Sequence, residues 1–163
     1  MSRDYRWGIE GTLNFPEEES YDAKRTEFYV SPDTIAKDVD DSLDETSSTA
    51  RKFGETNAIM SAGFALTATI LIPTPLALAS SYLYILSAGT AVNTLAAGKA
   101  EVGIAIVKYI SGEAKIGLDG QRLSDEEAEY RSDTAGVEIH HGVTLILVGA
   151  VNYFAALAAL DAI

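Results

Sequence analysis

Residues 56–98 read TNAIMSAGFALTATILIPTPLALASSYLYILSAGTAVNTLAAG, and no side chain in that stretch carries a charge. Pro73 and Pro75 divide it. Each proline lacks an N–H and restricts the residue before it, so two this close stop a helix. The first part, Asn57–Ile72, is about 16 residues and the second, Leu76–Gly98, about 23, against about 20 for a helix that crosses a bilayer core. The spacing predicts a proline-broken helical hairpin over 56–98, with Pro73 and Pro75 as its turn. A second uncharged stretch, Gly142–Leu160, has Thr144 and Asn152 as its small polar side chains. It predicts a third apolar helix over 137–163.

The rest of the chain holds the acid. There are 24 Asp and Glu against 12 Lys and Arg, a formal charge of -12 over 163 residues. That balance repels phosphate backbones, so nucleic acid is excluded as a partner. At very high salt the Debye length falls to a few Å and carboxylates stop repelling one another. The acidity therefore suggests a halophilic source, an archaeon or its virus, with an ordinary acidic protein as the alternative. No cysteine is present, which removes disulfides, thiolate catalysis and cysteine zinc sites. No secretory signal stands at the start: residues 1–14 mix Arg, Asp, Trp and Gly without an apolar run.

Working outward, residues 31–55 read as an acidic amphipathic helix. Ser31-Pro32-Asp33 suits a helix start. Ile35, Val39, Leu43, Ala50 and Phe53 make one narrow apolar stripe. Ser47-Ser48-Thr49 is expected to loosen it. Residues 1–30 form a polar, aromatic arm that fits a short strand pair bent at Glu10-Gly11. Trp7, Phe15, Phe28 and Tyr29 are its candidate partner-docking residues, a loose terminus being the other reading.

Residues 99–136 are expected to be a polar connector. Ser111-Gly112 reads as a helix stop, Asp119-Gly120 as a type I′ hairpin turn, and Ser124–Glu127 as a capping box opening the last helix. Glu101 and Lys108, two turns apart, share a face.

Small residues abound in the apolar stretches and allow close helix packing in lipid. Gly63, Gly89, Gly149, Ala155 and Ala159 are the candidate packing positions, with Asn93 and Asn152 as candidate interhelical hydrogen-bonding groups. Tyr82, Tyr84 and Tyr153 count against lipid, because they lie inside the spans instead of at belt positions. Arg51, Lys52 and Lys99 flank the hairpin on one side, which the positive-inside tendency makes internal.

No catalytic, cofactor-binding or metal site is expected. His140 and His141 point about 100° apart on a helix and cannot readily share a metal. Glu138-x-x-His141 is half of a di-iron pattern without its second copy. Asp38, Asp40, Asp41 and Asp44 fan out on a helix where a calcium loop would curl. Ser-His-Asp, phosphate-loop and dinucleotide patterns are missing.

These readings converge on a mainly α, helical membrane protein without enzymatic activity. Its expected role is structural or in assembly, in a cell or virion membrane, as an envelope or capsid-associated component. Expected partners are the lipid bilayer, another protein met by the arm, and further copies in a homo- or hetero-oligomer. The alternatives are a holin-like or pore-forming permeabilising protein and a soluble all-helical homo-oligomer.

Overall fold

A computed structural model describes residues 32–118 and 120–163, the side chains of 32–38 and 40 excepted. The aromatic arm, with Trp7, Phe15, Phe28, Tyr29 and its expected strand pair, lies outside the described residues. Three long helices follow: α1 (Pro32–Leu71), α2 (Ala77–Ala114) and α3 (Asp125–Asp161). The described residues are mainly helical and contain no strand, only an antiparallel bridge between Ile116 and Arg122. The helices run alternately up and down. α2 packs most extensively on α3, then on α1, while α1 touches α3 sparsely.

The first two helices outrun their expected segments, while the third starts at the expected capping box. α1 merges the acidic amphipathic helix with the first hairpin arm. Ser47-Ser48-Thr49 does not loosen it: the helix runs unbroken through the three residues, and Ser47 is buried. Gly54, in the same helix, costs about 1 kcal/mol of helix propensity but permits a close approach: a Cβ there would stand 2.6 Å from Leu145 Cδ1. α2 carries the second arm past Lys99 and past Ser111-Gly112 to Ala114. Gly112 is a packing position, where a Cβ would meet Ala128 O at 2.8 Å. The stop falls at Lys115, left-handed at φ 52; its N–H bonds Gly112 O while the N–H of Ile116 bonds Ser111 O. That pair of bonds satisfies the last carbonyls of the helix.

The expected connector over 99–136 therefore shrinks to 115–124. Its turn differs from a two-residue turn on Asp119-Gly120. The Gly117 N–H bonds Gln121 O at 2.7 Å, and the Gly120 N–H bonds Gly117 O at 2.9 Å. This is a three-residue loop closed by a glycine at φ 79. α3 starts at the capping box: Ser124 Oγ accepts from the Glu127 N–H, and the Glu127 carboxylate accepts from the Ser124 N–H. At the proline corner, Thr74 Oγ1 donates to Leu71 O at 2.7 Å and accepts from the Leu76 N–H at 3.1 Å.

The core follows one rule. Buried α2 positions include Ser80, Tyr84, Ser87, Ala91, Thr94, Gly98, Glu101, Ala105, Lys108 and Gly112. Their spacing alternates between four and three, the period of a coiled coil. Buried positions of α1 (Gly54, Asn57, Ser61, Ala68) and α3 (Ala128, Ala135, Glu138, Gly142, Leu145, Gly149, Ala156) keep the same period. The seam is small or polar. Its buried apolar residues are alanines except for Tyr84 and Leu145. The large apolar residues face out: Leu78 is 92% exposed, Ile59 74%, and Phe154 67%.

Candidate functional site: a polar seam with an ionic half

The seam changes character along its length. Towards the proline corner it is neutral. Ser61 Oγ donates to Ser87 O at 2.9 Å, and Ser87 Oγ returns the bond to Ser61 O at 2.8 Å. The Thr69 and Tyr84 hydroxyls lie 2.7 Å apart. Asn93 Nδ2 donates to Asn57 Oδ1 at 3.2 Å, and Asn57 Nδ2 donates to its own helix at Phe53 O. Away from the corner the same seam becomes ionic. Glu101 has no exposed side-chain surface and is held from two sides. The Arg51 guanidinium reaches Oε1 at 2.9 Å, and His141 Nδ1 reaches Oε2 at 2.8 Å. The other ring nitrogen of His141 lies 3.0 Å from Glu55 Oε1.

Two turns further along α2, the Lys108 ammonium sits between both oxygens of Glu138, at 3.1 Å each, and the Asp44 carboxylate. Burial acts to lower the Lys108 pKa, but hydrogen bonds and charge from Asp44 and Glu138 outweigh it and hold it above the ordinary lysine value. Beside this pair lies a cleft of about 260 Å³, lined by Asp44, Lys108, Leu123, Glu127, Tyr130, Arg131 and Thr134. Its charged groups are engaged within the chain: Glu127 in the helix cap, and Arg131 through a bond to Ser111 Oγ at 3.2 Å. The hydroxyls of Ser47 and Ser80 are buried without a partner, and nothing in the structure explains them.

The residues singled out from the sequence fall on different faces. Gly149 packs into α2, where a Cβ would lie 2.9 Å from Leu95 Cγ and 3.0 Å from Ala91 O. Asn93 meets Asn57, and Asn152 Nδ2 reaches Ala58 O at 3.5 Å. Gly63 and Gly89 have nothing within 4 Å of a built Cβ, so they lie on outer faces. Ala155 is exposed; the buried residue is its neighbour Ala156, which joins Ala159 in an apolar cluster with Ala68 and Tyr84. Pro73 and Pro75 form the corner and are exposed. Glu138 and His141 serve different partners and share no ligand. Among the described residues no group of three His, Asp or Glu is placed to hold a metal ion. The side chains of Asp38 and Asp40 lie outside the described set, Asp41 is exposed, and Asp44 is taken up by Lys108.

The ionic cluster itself was missed. Its signal was present: Glu101 and Lys108 continue, without a phase change, the four-three spacing that runs from Ser80. Among the described residues one helix, α3, is long and apolar enough to cross a membrane. The hairpin arms fall short because Ser, Thr, Asn and Tyr interrupt their apolar runs. Comparison with models of protein families, with characterised proteins and with solved structures finds no match.

Proposed function

We propose that this chain is a non-enzymatic integral membrane protein with a structural or assembly role, its corner half in lipid and its acidic half in water. One observation carries the reading: side chains are sorted inversely to a water-soluble bundle. Water drives the largest apolar groups inward. Here the buried positions are mostly alanine, serine and glycine, with Leu145 and Tyr84 as exceptions, while many leucines, isoleucines and Phe154 are exposed. Hydrocarbon supplies no such drive and rewards close backbone packing.

Three further features support it. Exposed threonines of the corner half bond carbonyls of their own helix: Thr56 to Lys52, Thr67 to Gly63, Thr69 to Ala65, and Thr144 to His140. Such hydroxyls need no water, as a bilayer requires. Ala77–Gly98 is about 33 Å long at 1.5 Å per residue, against a hydrocarbon core of about 30 Å. Lys52 and Lys99 then mark one boundary, with the acidic part of α1 beyond it. Little of the apolar stretch of α3 is buried within the chain, unlike the core helix of a soluble globule. An envelope or capsid-associated membrane in a high-salt setting fits the acidic half.

A second reading has its own observation. Ile106, Ile110 and Val137 are exposed beyond the Lys99 level, where the bilayer does not reach. Further copies or another protein would cover them, and in the extreme case a soluble homo-oligomer covers the whole exterior. Carbonate extraction and vesicle flotation in high salt decide between the two. Flotation with vesicles is the expected result. A chain that stays in the supernatant as a monodisperse oligomer without detergent overturns the membrane reading. Dye release from the same vesicles at low protein-to-lipid ratio would replace the structural role with a permeabilising one.

A further inference from the structure

We infer that His141 is a proton-operated clasp that ties α1 to the α2–α3 pair. Both ring nitrogens of His141 face carboxylate oxygens, Nδ1 at 2.8 Å from Glu101 and Nε2 at 3.0 Å from Glu55. An ionised carboxylate only accepts hydrogen bonds. Both contacts are therefore satisfied together only when the ring carries both of its protons. A neutral imidazole has one donor, and its other nitrogen would turn a lone pair toward an anion.

The surroundings decide which contact breaks. Glu101, on α2, is fully buried and also gripped by Arg51 of α1, so it is fixed. Glu55, on α1, is half exposed and can turn to water. Loss of the second ring proton therefore releases Glu55 and keeps the Glu101 bond. On its own helix the nearest titratable groups are His140, which is exposed, and Glu138, which is committed to Lys108.

The consequence falls on α1, which touches α3 sparsely. Other polar ties of α1 near this level are the Arg51–Glu101 pair and the Asn93–Asn57 bond to α2, and, to α3, the Lys108 bridge from Asp44 to Glu138 and the Asn152 bond to Ala58. Beyond the clasp α1 is acidic, with Asp44 and Glu45 exposed. Releasing Glu55 adds one more uncompensated negative charge there. The clasp holds while the ring carries both protons and opens when one of them is lost. This inference needs the three-helix packing but not the bilayer.

The chain has no native cysteine, so spin labels placed at Glu45→Cys and Glu129→Cys read the α1–α3 distance in the full chain in detergent. Between about pH 5.5 and about pH 8.5, the narrow closed distance should lose about threefold in population. His141→Gln should abolish that step and His140→Gln should keep it. Glu55→Gln guards against a folding failure at position 141. Its amide can accept from or donate to the ring, so the contact survives either protonation state and the step should also vanish. Distances that ignore pH in the parent chain overturn the clasp, as does a step that persists in both His141→Gln and Glu55→Gln.

Discussion

The two halves of the seam solve one packing problem with different chemistry. Near the proline corner, Ser61 and Ser87 join α1 to α2 through a reciprocal pair of neutral bonds. Past Gly98, the same face of α2 does the joining with Glu101 and Lys108. Helix geometry is continuous across the change. The difference teaches that backbone proximity is set by small residues throughout, while the polar groups between them change from neutral hydroxyls to ions. A neutral hydroxyl pair tolerates a surround without water. A buried ion pair needs several partners and lies where water can reach part of it, as it reaches Asp44 and Glu55 here.

The largest break in this comparison is Lys108→Met. It strands Glu138 next to Asp44 and should cost on the order of 3 kcal/mol in thermal unfolding followed by circular dichroism. The double variant Lys108→Met with Glu138→Leu should recover most of that loss. A single variant as stable as the parent would show that the ionic half is ornamental. Next comes Gly98→Leu. A Cβ at Gly98 already lies 2.6 Å from Gly142 O and 3.0 Å from Ile146 N, so overpacking should cost about 2 kcal/mol or more. Gly89→Ala, on an open face, should instead stabilise by up to about 1 kcal/mol. Equal effects at the two glycines would erase the distinction between seam and exterior. Ser61→Ala removes the bond to Ser87 O and keeps the one from Ser87 Oγ to the backbone at position 61, an expected loss of about 1 kcal/mol.

The smallest effect is a pH response with opposite signs at two points of the acidic half. Lys115 lowers the Asp125 pKa, and the side-chain and backbone bonds to Ser124 lower that of Glu127. A folded value below the unfolded one means support that is present above the ordinary carboxylate range and lost as pH falls through the lowered value. Lys108 has a raised value, so its support is present below the ordinary lysine range and lost as pH rises through the raised one. Amide exchange should therefore quicken at the start of α3 in acid and around Lys108 only in strong alkali. Exchange that quickens at both places in the same direction would contradict these assignments.

Much of the helical content was legible from residue type alone. The prolines marked the corner, Ser124 and Glu127 marked the start of α3, and the uncharged runs marked helix. Boundaries were less legible, since Ser111-Gly112 and Gly54 look like interruptions and are packing points. A glycine that breaks an isolated helix serves a bundle when a neighbouring backbone fills the space of its missing side chain. The seam was hidden for a related reason. Hydropathy says that a stretch is apolar but not which of its faces turns inward, so Gly63 and Gly89 read like Gly149 although they point elsewhere. The alternating spacing from Ser80 to Gly112 did hold the phase. It was obscured because charged residues read as solvent-facing by default, whereas Glu101 and Lys108 are buried against charged partners on the neighbouring helices.

The odd number of helices among the described residues gives that part of the molecule a direction. With α1 and α3 parallel, Pro32 and Asp161 stand at opposite ends, about 60 Å apart at 1.5 Å per residue. Any sheet assembled by side-to-side repetition of one orientation would resemble a picket fence. Every acidic stem would emerge above it and every Ile163 below, so its two surfaces could never be interchanged.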